Sequence, residues 1–275
     1  MKNSYETISA KIKNIKEEGS NSKLFTLERP RGFEFGVGQF VIVSLPGFGE
    51  APISICSDPN DKKSFQLGVR KAGKVSSEIH NLKKGDRVGI RGPYGHGFPI
   101  ELAEKRNVLL VAGGLGLEPL RPAILEIIAN RKKYQKVQIF YGAKTESDLL
   151  FSNEYDNWLK NDINFNLCLD NPSGKFNLKC PFIEGLVTVL FEKIPLAPDP
   201  IAFLCGPPVM YKFVLEKLNK AGFKDEDIFV SLERRMNCGI GVCQHCAIGG
   251  KYTCKHGPVF SWADLKEYKG GYNII

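Results

Sequence analysis

VLLVAGGLGLEP, residues 108–119, is the stretch that decides the fold of the second half of this chain. Its first five residues are apolar without alternation, which is typical of a β-strand buried on both faces. Gly113, Gly114 and Gly116 follow, and residues 120–129 have a helical pattern after Pro119. Such a turn lets the backbone approach a pyrophosphate at a helix N-terminus. It is not the G-x-G-x-x-G fingerprint, because Pro119 stands at the third glycine, and a turn without a ligand would look similar.

A second turn of the same kind follows the apolar run at residues 201–205. Cys205, Gly206 and Pro207 separate this predicted strand from a helix predicted over residues 210–221. Strands that alternate with helices predict a parallel, doubly wound sheet, whose ligands bind beyond the carboxyl ends of the strands. Two tight turns at that edge favour a dinucleotide crevice. Further strands are predicted at residues 137–141 and 163–169.

The first hundred residues have a different texture, with short alternating runs separated by Gly, Pro, Asp and Asn turns. This pattern predicts a small antiparallel β-barrel. Its strands are predicted at residues 23–27, 39–45, 65–69 and 87–91. We therefore expect three parts: a barrel domain over residues 1–100, an α/β nucleotide-binding domain over residues 101–228 and a small cysteine-rich region over residues 229–275.

Four of the eight cysteines crowd into the C-terminal region with the spacing C-x4-C-x2-C-x7-C; they are Cys238, Cys243, Cys246 and Cys254. C-x4-C-x2-C followed by a fourth cysteine is the plant-type [2Fe–2S] pattern. A structural zinc site is the alternative, since four thiolates also suit zinc. His245 and His256 are predicted to be solvated loop residues. Cys56, Cys168 and Cys180 are expected to be free thiols.

Composition narrows the class of protein. A chain of 275 residues with 43% hydrophobic and 25% charged residues can bury a core, so disorder is excluded as the main state. No apolar run is long enough for membrane insertion, and the charged N-terminus lacks a signal core, so we expect a cytoplasmic location. The net charge of +8 comes from scattered residues, which argues against nucleic acid as a partner.

These features together resemble the ferredoxin–NADP reductase superfamily over nearly the whole chain. GEAPISI, residues 49–55, stands where the flavin-binding R-x-Y-S segment of that family lies, and residues 69–76 stand where it holds the flavin phosphates. GPYG at residues 92–95 is similar to its G-P-x-G motif. The loop at residues 113–119 is similar to its nicotinamide-nucleotide loop, and CGPP at residues 205–208 to its second turn.

The resemblance implies two cofactor sites. The FAD site would comprise Ala51, Pro52, Ile53, Ser54, Gly68, Val69, Arg70, Gly73, Val75 and Ser76. The site for NAD(H) or NADP(H) would comprise Gly113, Gly114, Gly116, Pro119, Lys144, Cys205, Gly206 and Pro207.

Several of these positions have particular expected roles, and the Ser76 hydroxyl would assist Arg70 in holding the flavin phosphates. Ser54 would hydrogen-bond to the flavin ring, and Cys205 would lie near the nicotinamide, the alternative being a buried small residue at a strand end. Ala51 replaces the arginine of the family, so Arg70 would carry more of the phosphate charge, and the stacking tyrosine is replaced by Ile53. Lys144 leaves the choice between NADH and NADPH open.

The cysteine region narrows the resemblance to electron-transfer subunits. Similar ones are the gamma subunits of NAD(P)-linked hydrogenases (sulfhydrogenases) and the electron-transfer subunits of anaerobic sulfite reductase and of dihydroorotate dehydrogenase. The resemblance implies an NAD(P)H-linked flavin and iron–sulfur oxidoreductase that exchanges electrons with a catalytic partner subunit. From the positive charge near the cluster loop, we expect Lys251 and Lys255 to help form the docking face. The dihydroorotate dehydrogenase role and a non-catalytic zinc-binding module are the alternatives.

Overall fold

The computed structural model describes residues 5–174 and 180–268. Its strands are β1 (Ile8–Glu17), β2 (Ser22–Glu28), β3 (Phe40–Leu45), β4 (Gly49–Ser54), β5 (Ser64–Arg70), β6 (Arg87–Tyr94), β7 (Asn107–Gly113), β8 (Val137–Ala143), β9 (Ile163–Leu169), β10 (Phe182–Glu184), β11 (Pro200–Cys205), β12 (Ile228–Ser231), β13 (Ala247–Ile248), β14 (Lys251–Tyr252) and β15 (Val259–Ser261). Its helices are α1 (Lys74–Asn81), α2 (Leu117–Ala129), α3 (Tyr155–Lys160), α4 (Leu190–Lys193), α5 (Pro208–Lys220), α6 (Thr253–His256) and α7 (Trp262–Lys266).

The N-terminal part is a six-stranded antiparallel sheet in the order β4-β3-β6-β1-β2-β5, which confirms the predicted antiparallel barrel domain. Apolar side chains from alternate positions fill its interior, including Ile12, Phe25, Phe65 and Ile90. Each is almost completely buried, so the strand register is fixed by the apolar face.

The second part is a seven-stranded sheet in the order β10-β9-β8-β7-β11-β12-β15. The first six strands are parallel, as predicted, but β15 pairs antiparallel with β12. β15 comes from the cysteine-rich region, outside the predicted α/β domain, so the parallel sheet predicted for that domain is confirmed and the antiparallel edge is an addition to it. The physical reason is that the chain returns after Cys254 and uses the open edge of β12, with Ser231 opposite Val259.

Helices cover both faces of this sheet, so the doubly wound arrangement is confirmed. On one face, Leu120 and Ile124 of α2 pack with Trp158 of α3. On the other face, Val214 and Leu218 of α5 pack in a second cluster. Strand β7 lies between these two layers of helices and is buried along its whole length. This burial on both faces explains the unbroken apolar run at residues 108–112.

A buried polar network joins the barrel to the α/β part. Arg121 of α2 donates to the backbone carbonyl of Cys56 at 2.5 Å and to Gln66 Oε1 at 2.8 Å. The same guanidinium forms an ion pair with Glu154 at 2.6 Å. Because Arg121 is buried and fully bonded, these contacts fix the relative placement of the two parts.

The C-terminal region lies against the barrel. His96 N–H donates to the Gly257 carbonyl at 2.5 Å, and Phe40 and Ile42 of β3 pack with the thiols of Cys246 and Cys254. Within the described ranges, no helix combines the length and the apolar character needed to cross a membrane.

Candidate functional site

The two glycine-containing turns lie side by side at one edge of the sheet. Cys205 of β11 is directly opposite Ala112 of β7, so the residues that follow both strands meet. A Cβ atom at Gly116 would overlap the Cys205 carbonyl, and one at Gly113 would lie 2.7 Å from Met210 Sδ. Glycine is therefore required for this close approach.

Gly114 has a different reason to be glycine. Its φ is +53°, a left-handed conformation, and a Cβ atom there would meet nothing within 4 Å. Next to it, Pro119 is buried in the first turn of α2. The turn thus has a bare backbone edge that faces open space, which is the feature that a pyrophosphate requires.

Cys205 is buried at the end of β11, and Gly206 and Pro207 form the turn. Burial, together with the charge of Glu233, raises the pKa of the Cys205 thiol to about 12. The thiol is therefore neutral at physiological pH. This state suits contact with an uncharged nicotinamide ring, and it equally suits a packing role.

The flavin-type segment of the barrel is β4. Ala51, Ile53 and Ser54 are partly accessible, while Pro52 pairs with Ile42 of β3. Ser54 is paired with Phe40 of β3, and this pairing fixes the register of β4 on β3. Because Ala51, Ile53 and Ser54 are partly exposed, β4 has a surface against which an aromatic ring system such as that of a flavin can pack.

The predicted phosphate-binding segment surrounds the start of α1. Arg70 is exposed at the end of β5, directly after buried Gly68 and Val69, and Gly73 immediately precedes the helix. Val75 and Ser76 lie in the first helical turn, where backbone N–H groups lack helical acceptors.

The Ser76 hydroxyl belongs to the predicted phosphate-binding segment. Its oxygen accepts hydrogen bonds from the N–H groups of Ala72 at 3.0 Å and Gly73 at 2.9 Å. In this arrangement the hydroxyl shapes the loop that precedes the helix.

Lys144 follows β8 and is exposed. Its backbone carbonyl accepts from Asn171 N–H at 2.8 Å, which places it beside Asp170 at the end of β9. Burial raises the pKa of Asp170, and the Lys144 charge opposes that shift. Sequence reasoning missed Asp170, although an acidic residue after the next strand is the usual partner of an adenosine ribose.

The four clustered cysteines come together as two pairs. The Cys238 and Cys243 side chains interact, and so do those of Cys246 and Cys254. Across the described residues, no three His, Cys, Asp or Glu side chains converge closely enough to hold a single metal ion. Cys243 is exposed, and the other three are buried.

Backbone N–H groups point at these sulfur atoms. Ile240 and Cys243 donate to Cys238 Sγ, both at 3.4 Å, and Gly241 donates to Cys254 Sγ at 3.1 Å. Burial raises the pKa of Cys238, but these N–H donors outweigh burial and lower it to about 6. Burial raises the pKa of Cys254 to about 12, with a further contribution from Cys246.

Arg91 of β6 connects the cysteine loop to the flavin-type strand, and sequence reasoning missed it. Its guanidinium donates to the Cys238 carbonyl at 2.9 Å and to Glu50 Oε2 of β4 at 2.5 Å. A third bond reaches Tyr94 Oη at 3.1 Å. The Arg91 side chain is only 3% exposed, so this connection is shielded from solvent.

The neighbouring histidines and lysines have the following positions. His245 and His256 are both exposed, as predicted, and His256 Nδ1 accepts from Tyr252 N–H at 2.8 Å. Lys251 forms an ion pair with Asp264 at 2.6 Å, whereas Lys255 is exposed next to Gly241. Cys56, Cys168 and Cys180 are free and buried, as expected.

A surface recess of about 580 Å³ lies elsewhere, at the amino ends of the parallel strands, where it is lined by Asn107, Arg131, Lys136 and Pro198 among others. The two glycine turns are at the carboxyl ends. Since ligands of doubly wound sheets bind at carboxyl ends, this recess is not the dinucleotide site.

Comparison with known families agrees with the three parts of the structure. An oxidoreductase FAD-binding domain matches residues 9–98, and an oxidoreductase NAD-binding domain matches residues 110–216. The iron–sulfur cluster binding domain of dihydroorotate dehydrogenase B matches residues 233–266. The chain is thus an oxidoreductase whose domains bind FAD, NAD(H) and an iron–sulfur cluster.

Relatives match over nearly the full length. Sulfhydrogenase 2 subunit gamma of Pyrococcus furiosus is 41% identical over 98% of this chain and 99% of its own. A probable dihydroorotate dehydrogenase B (NAD(+)) electron transfer subunit of Methanocaldococcus jannaschii is 35% identical over 94% of this chain and 90% of its own. A solved NADH-dependent reduced ferredoxin-NADP oxidoreductase chain shares the fold, with a TM-score of 0.75 and 24% identity over 98% of this chain and 97% of its own. The chain therefore belongs to the ferredoxin–NADP reductase-like family of electron-transfer proteins that includes the sulfhydrogenase gamma subunits and the dihydroorotate dehydrogenase B electron-transfer subunits.

Proposed function

We propose that this chain is a cytoplasmic electron-transfer subunit that conducts electrons between NAD(P)H, FAD and a [2Fe–2S] cluster, and to or from a catalytic partner subunit. One observation carries the proposal: the four-cysteine loop is packed against the barrel strand that pairs with the flavin-type segment. A bound flavin converts the electron pair of a hydride into single electrons, which a [2Fe–2S] cluster accepts one at a time.

The barrel residues fit a flavin. Arg70 supplies an exposed positive charge, and the N–H groups of Val75 and Ser76 supply donors for a pyrophosphate. Ile53 offers an aliphatic surface for the ring, and Ser54 offers a hydroxyl. Next to Gly68 of β5 lies a buried Glu118 oxygen that has no hydrogen-bond partner among the described residues, as expected where a polar ligand group would bind.

The thiols fit a two-iron cluster. The four cysteines would supply the ligands of the two irons, and the N–H donors that face the Cys238 and Cys254 sulfur atoms would stabilise the charge of the thiolates. Arg91 would hold the cluster loop on the flavin strand through its bonds to Cys238 and Glu50. We propose the same three domains as predicted from the sequence: residues 1–100 bind the flavin, residues 101–228 bind the nucleotide and residues 229–275 bind the cluster.

On the nucleotide side, Gly113, Gly114 and Gly116 would admit the dinucleotide to the carboxyl edge of the sheet. Cys205 would then contact the nicotinamide with a neutral thiol, across from Ser54. The two turns are closely packed, since a Cβ atom at Gly116 would overlap the Cys205 carbonyl, and this packing would hold Cys205 beside the glycine loop.

The exposed end of the cluster loop supports docking to a partner. Val242 is 67% exposed, and the ligand Cys243 beside it is exposed as well. A hydrogenase-type or sulfite reductase-type partner is the first candidate. A dihydroorotate dehydrogenase is the second, favoured by the match of the cysteine region to the iron–sulfur domain of that enzyme.

The docking proposal has a direct test. Lys255→Glu is expected to weaken electron transfer to the co-purified partner at low salt, because it reverses a charge next to the loop. Lys220→Glu, at the far end of α5, is the matched control. Equal transfer rates in both variants would contradict docking at the cluster loop.

A further inference from the structure

The junction between the barrel and the α/β part contains a buried carboxyl group to which the proposed electron route assigns no chemical step. Glu118 lies in the first turn of α2 and is only 6% exposed. Its Oε1 atom has no hydrogen-bond partner among the described residues. A buried unpaired carboxylate is costly, so this group either keeps a proton or faces a polar ligand.

The position of Glu118 is shown by its neighbours. Its carboxyl occupies the space where Gly68 of β5 lacks a side chain, since a Cβ atom there would lie 2.6 Å from Glu118 Oε2. Its charge also acts on Cys56, which follows the flavin-type strand, and on Cys205 at the nucleotide turn. The carboxyl reaches from α2 of the α/β part to β5 of the barrel, so it lies at the junction of the two parts.

The charged and titratable groups that act on Glu118 come from every element around it. They are Arg70 of β5, Glu18 after β1, Glu233 after β12, Cys56 after β4, Cys205 of β11 and Tyr141 of β8. Burial raises the pKa of Glu118 to about 8, Glu233 and Glu18 add to that shift, and Arg70 opposes it. Glu233 is exposed, so the junction has a carboxylate at its solvent side.

The proposed electron transfer releases a proton near the flavin, and a titratable group at this position can bind it. Oxidation of NADH to NAD⁺ delivers one proton and two electrons. The iron–sulfur cluster accepts the electrons singly and takes no proton, so one proton per electron pair remains at the flavin site. A carboxyl that titrates near neutral pH can accept that proton and release it.

We infer that Glu118 is the proton-transfer residue of this junction: its carboxylate takes up the proton left behind when the electrons leave, and its carboxylic acid returns it in the reverse direction. For each electron pair that passes to the cluster, the N–H bond that the hydride formed on the flavin would break and one O–H bond would form on Glu118. That O–H bond would break when the proton moves to water past Glu233. This inference rests on the proposed function.

The test uses the anaerobic holoprotein with FAD and cluster bound, in wild type, Glu118→Gln and Glu126→Gln. Glu126 is the matched control because it lies on the same helix, where it bonds to Asn130 and Asn60 at the surface. Infrared spectroscopy is expected to show a protonated carboxyl band that disappears as the pH is raised above about 8. The band should be missing from Glu118→Gln and kept in Glu126→Gln.

Stopped-flow kinetics separates the two half-reactions. Electron release to ferricyanide after NADH reduction should slow about 100-fold in Glu118→Gln and lose its pH dependence, whereas bleaching of the flavin by NADH should slow far less. Glu126→Gln should follow wild type in both steps.

The measurements distinguish a failure of the proposed function from a failure of the inference about Glu118. A wild-type protein that binds no flavin, or whose flavin does not bleach, overturns the proposed function and this inference with it. A wild-type protein that bleaches, with a Glu118→Gln variant that matches it in electron release, overturns the inference alone. If Glu118→Gln does not fold, a wild-type spectrum without a carboxyl band at about pH 6 overturns the inference as well.

Discussion

At the scale of single residues, the site depends on side chains whose chemistry is set by burial. Cys205 and Glu118 are both buried, and burial raises the pKa of each group because it disfavours the charged form. Asp170, by contrast, is only partly buried and sits beside Lys144. The sequence indicates a functional role for only one of these three residues. Cys205 stands in a motif, whereas Glu118 and Asp170 are informative only through neighbours that are distant in sequence.

Asp170 gives a prediction about the nucleotide. Its carboxylate, at the end of the strand next to Lys144, favours a ribose hydroxyl and repels a 2′-phosphate. Asp170→Ser is therefore expected to improve kcat/KM for NADPH relative to NADH by about tenfold or more. Steady-state kinetics with both nucleotides measures this ratio, and Asp156→Ser, on the surface of α3, is the control. An unchanged ratio would place the ribose elsewhere.

Glu118 gives a prediction about stability. Its pKa is about 8 in the folded chain and near 4.5 when unfolded, so the folded state holds one more proton between these values. Unfolding then releases that proton, and the free energy of unfolding falls as pH rises, by about 1.4 kcal/mol per pH unit.

Denaturant titrations of wild type and Glu118→Gln measure this directly. Relative to wild type, Glu118→Gln should gain stability steadily from about pH 5 to pH 8, while Glu126→Gln should not. A difference between wild type and Glu118→Gln that does not change with pH would mean that the carboxyl is solvated.

At the scale of elements, periodicity predicted most of the sheet. The strand predicted at residues 163–169 coincides with β9, and the helix predicted from residue 120 is α2, which begins three residues earlier at Leu117. β1 was missed, because its lysines on the outer face hide the buried Ala10 and Ile12. β15 was missed because a three-residue edge strand has no period, and its pairing is determined by the fold.

The attachment of the cysteine loop to the barrel is also an element-scale property. Arg91→Met removes the bonds to Glu50 and to the Cys238 carbonyl, which should cost roughly 1–3 kcal/mol of stability. The loop should also exchange its amide hydrogens faster in the holoprotein. Arg87→Met, on the exposed part of the same strand, loses only a bond to Ser9 and should behave as wild type. Equal exchange in both variants would show that Arg91 does not hold the loop.

The cysteine pairs predict the metal content. Cys243→Ser should reduce bound iron from about two atoms per chain to nearly none, since it removes one of the two ligands of an iron. Cys168→Ser changes a buried free thiol away from the loop and should retain iron. Iron analysis and the visible spectrum after anaerobic reconstitution measure both. Full iron content in Cys243→Ser would rule out this ligand set.

At the scale of the whole molecule, three cofactor-binding parts are joined by buried polar contacts. Arg121 joins the barrel to the α/β part, Arg91 joins it to the cysteine loop, and β15 returns the loop to the sheet. Spacing and motifs predicted the parts themselves. The contacts between them were not predictable, because an isolated Arg in a sequence shows neither its burial nor its partners.

The central claim is that one chain carries electrons from a nicotinamide nucleotide through a flavin to a two-iron cluster. It is tested most directly by an anaerobic absorption spectrum before and after NADH and then NADPH, with iron, zinc and flavin measured on the same sample. We predict one bound flavin that bleaches and about two irons per chain. A colourless protein that holds about one zinc and no flavin after attempted reconstitution would contradict the account.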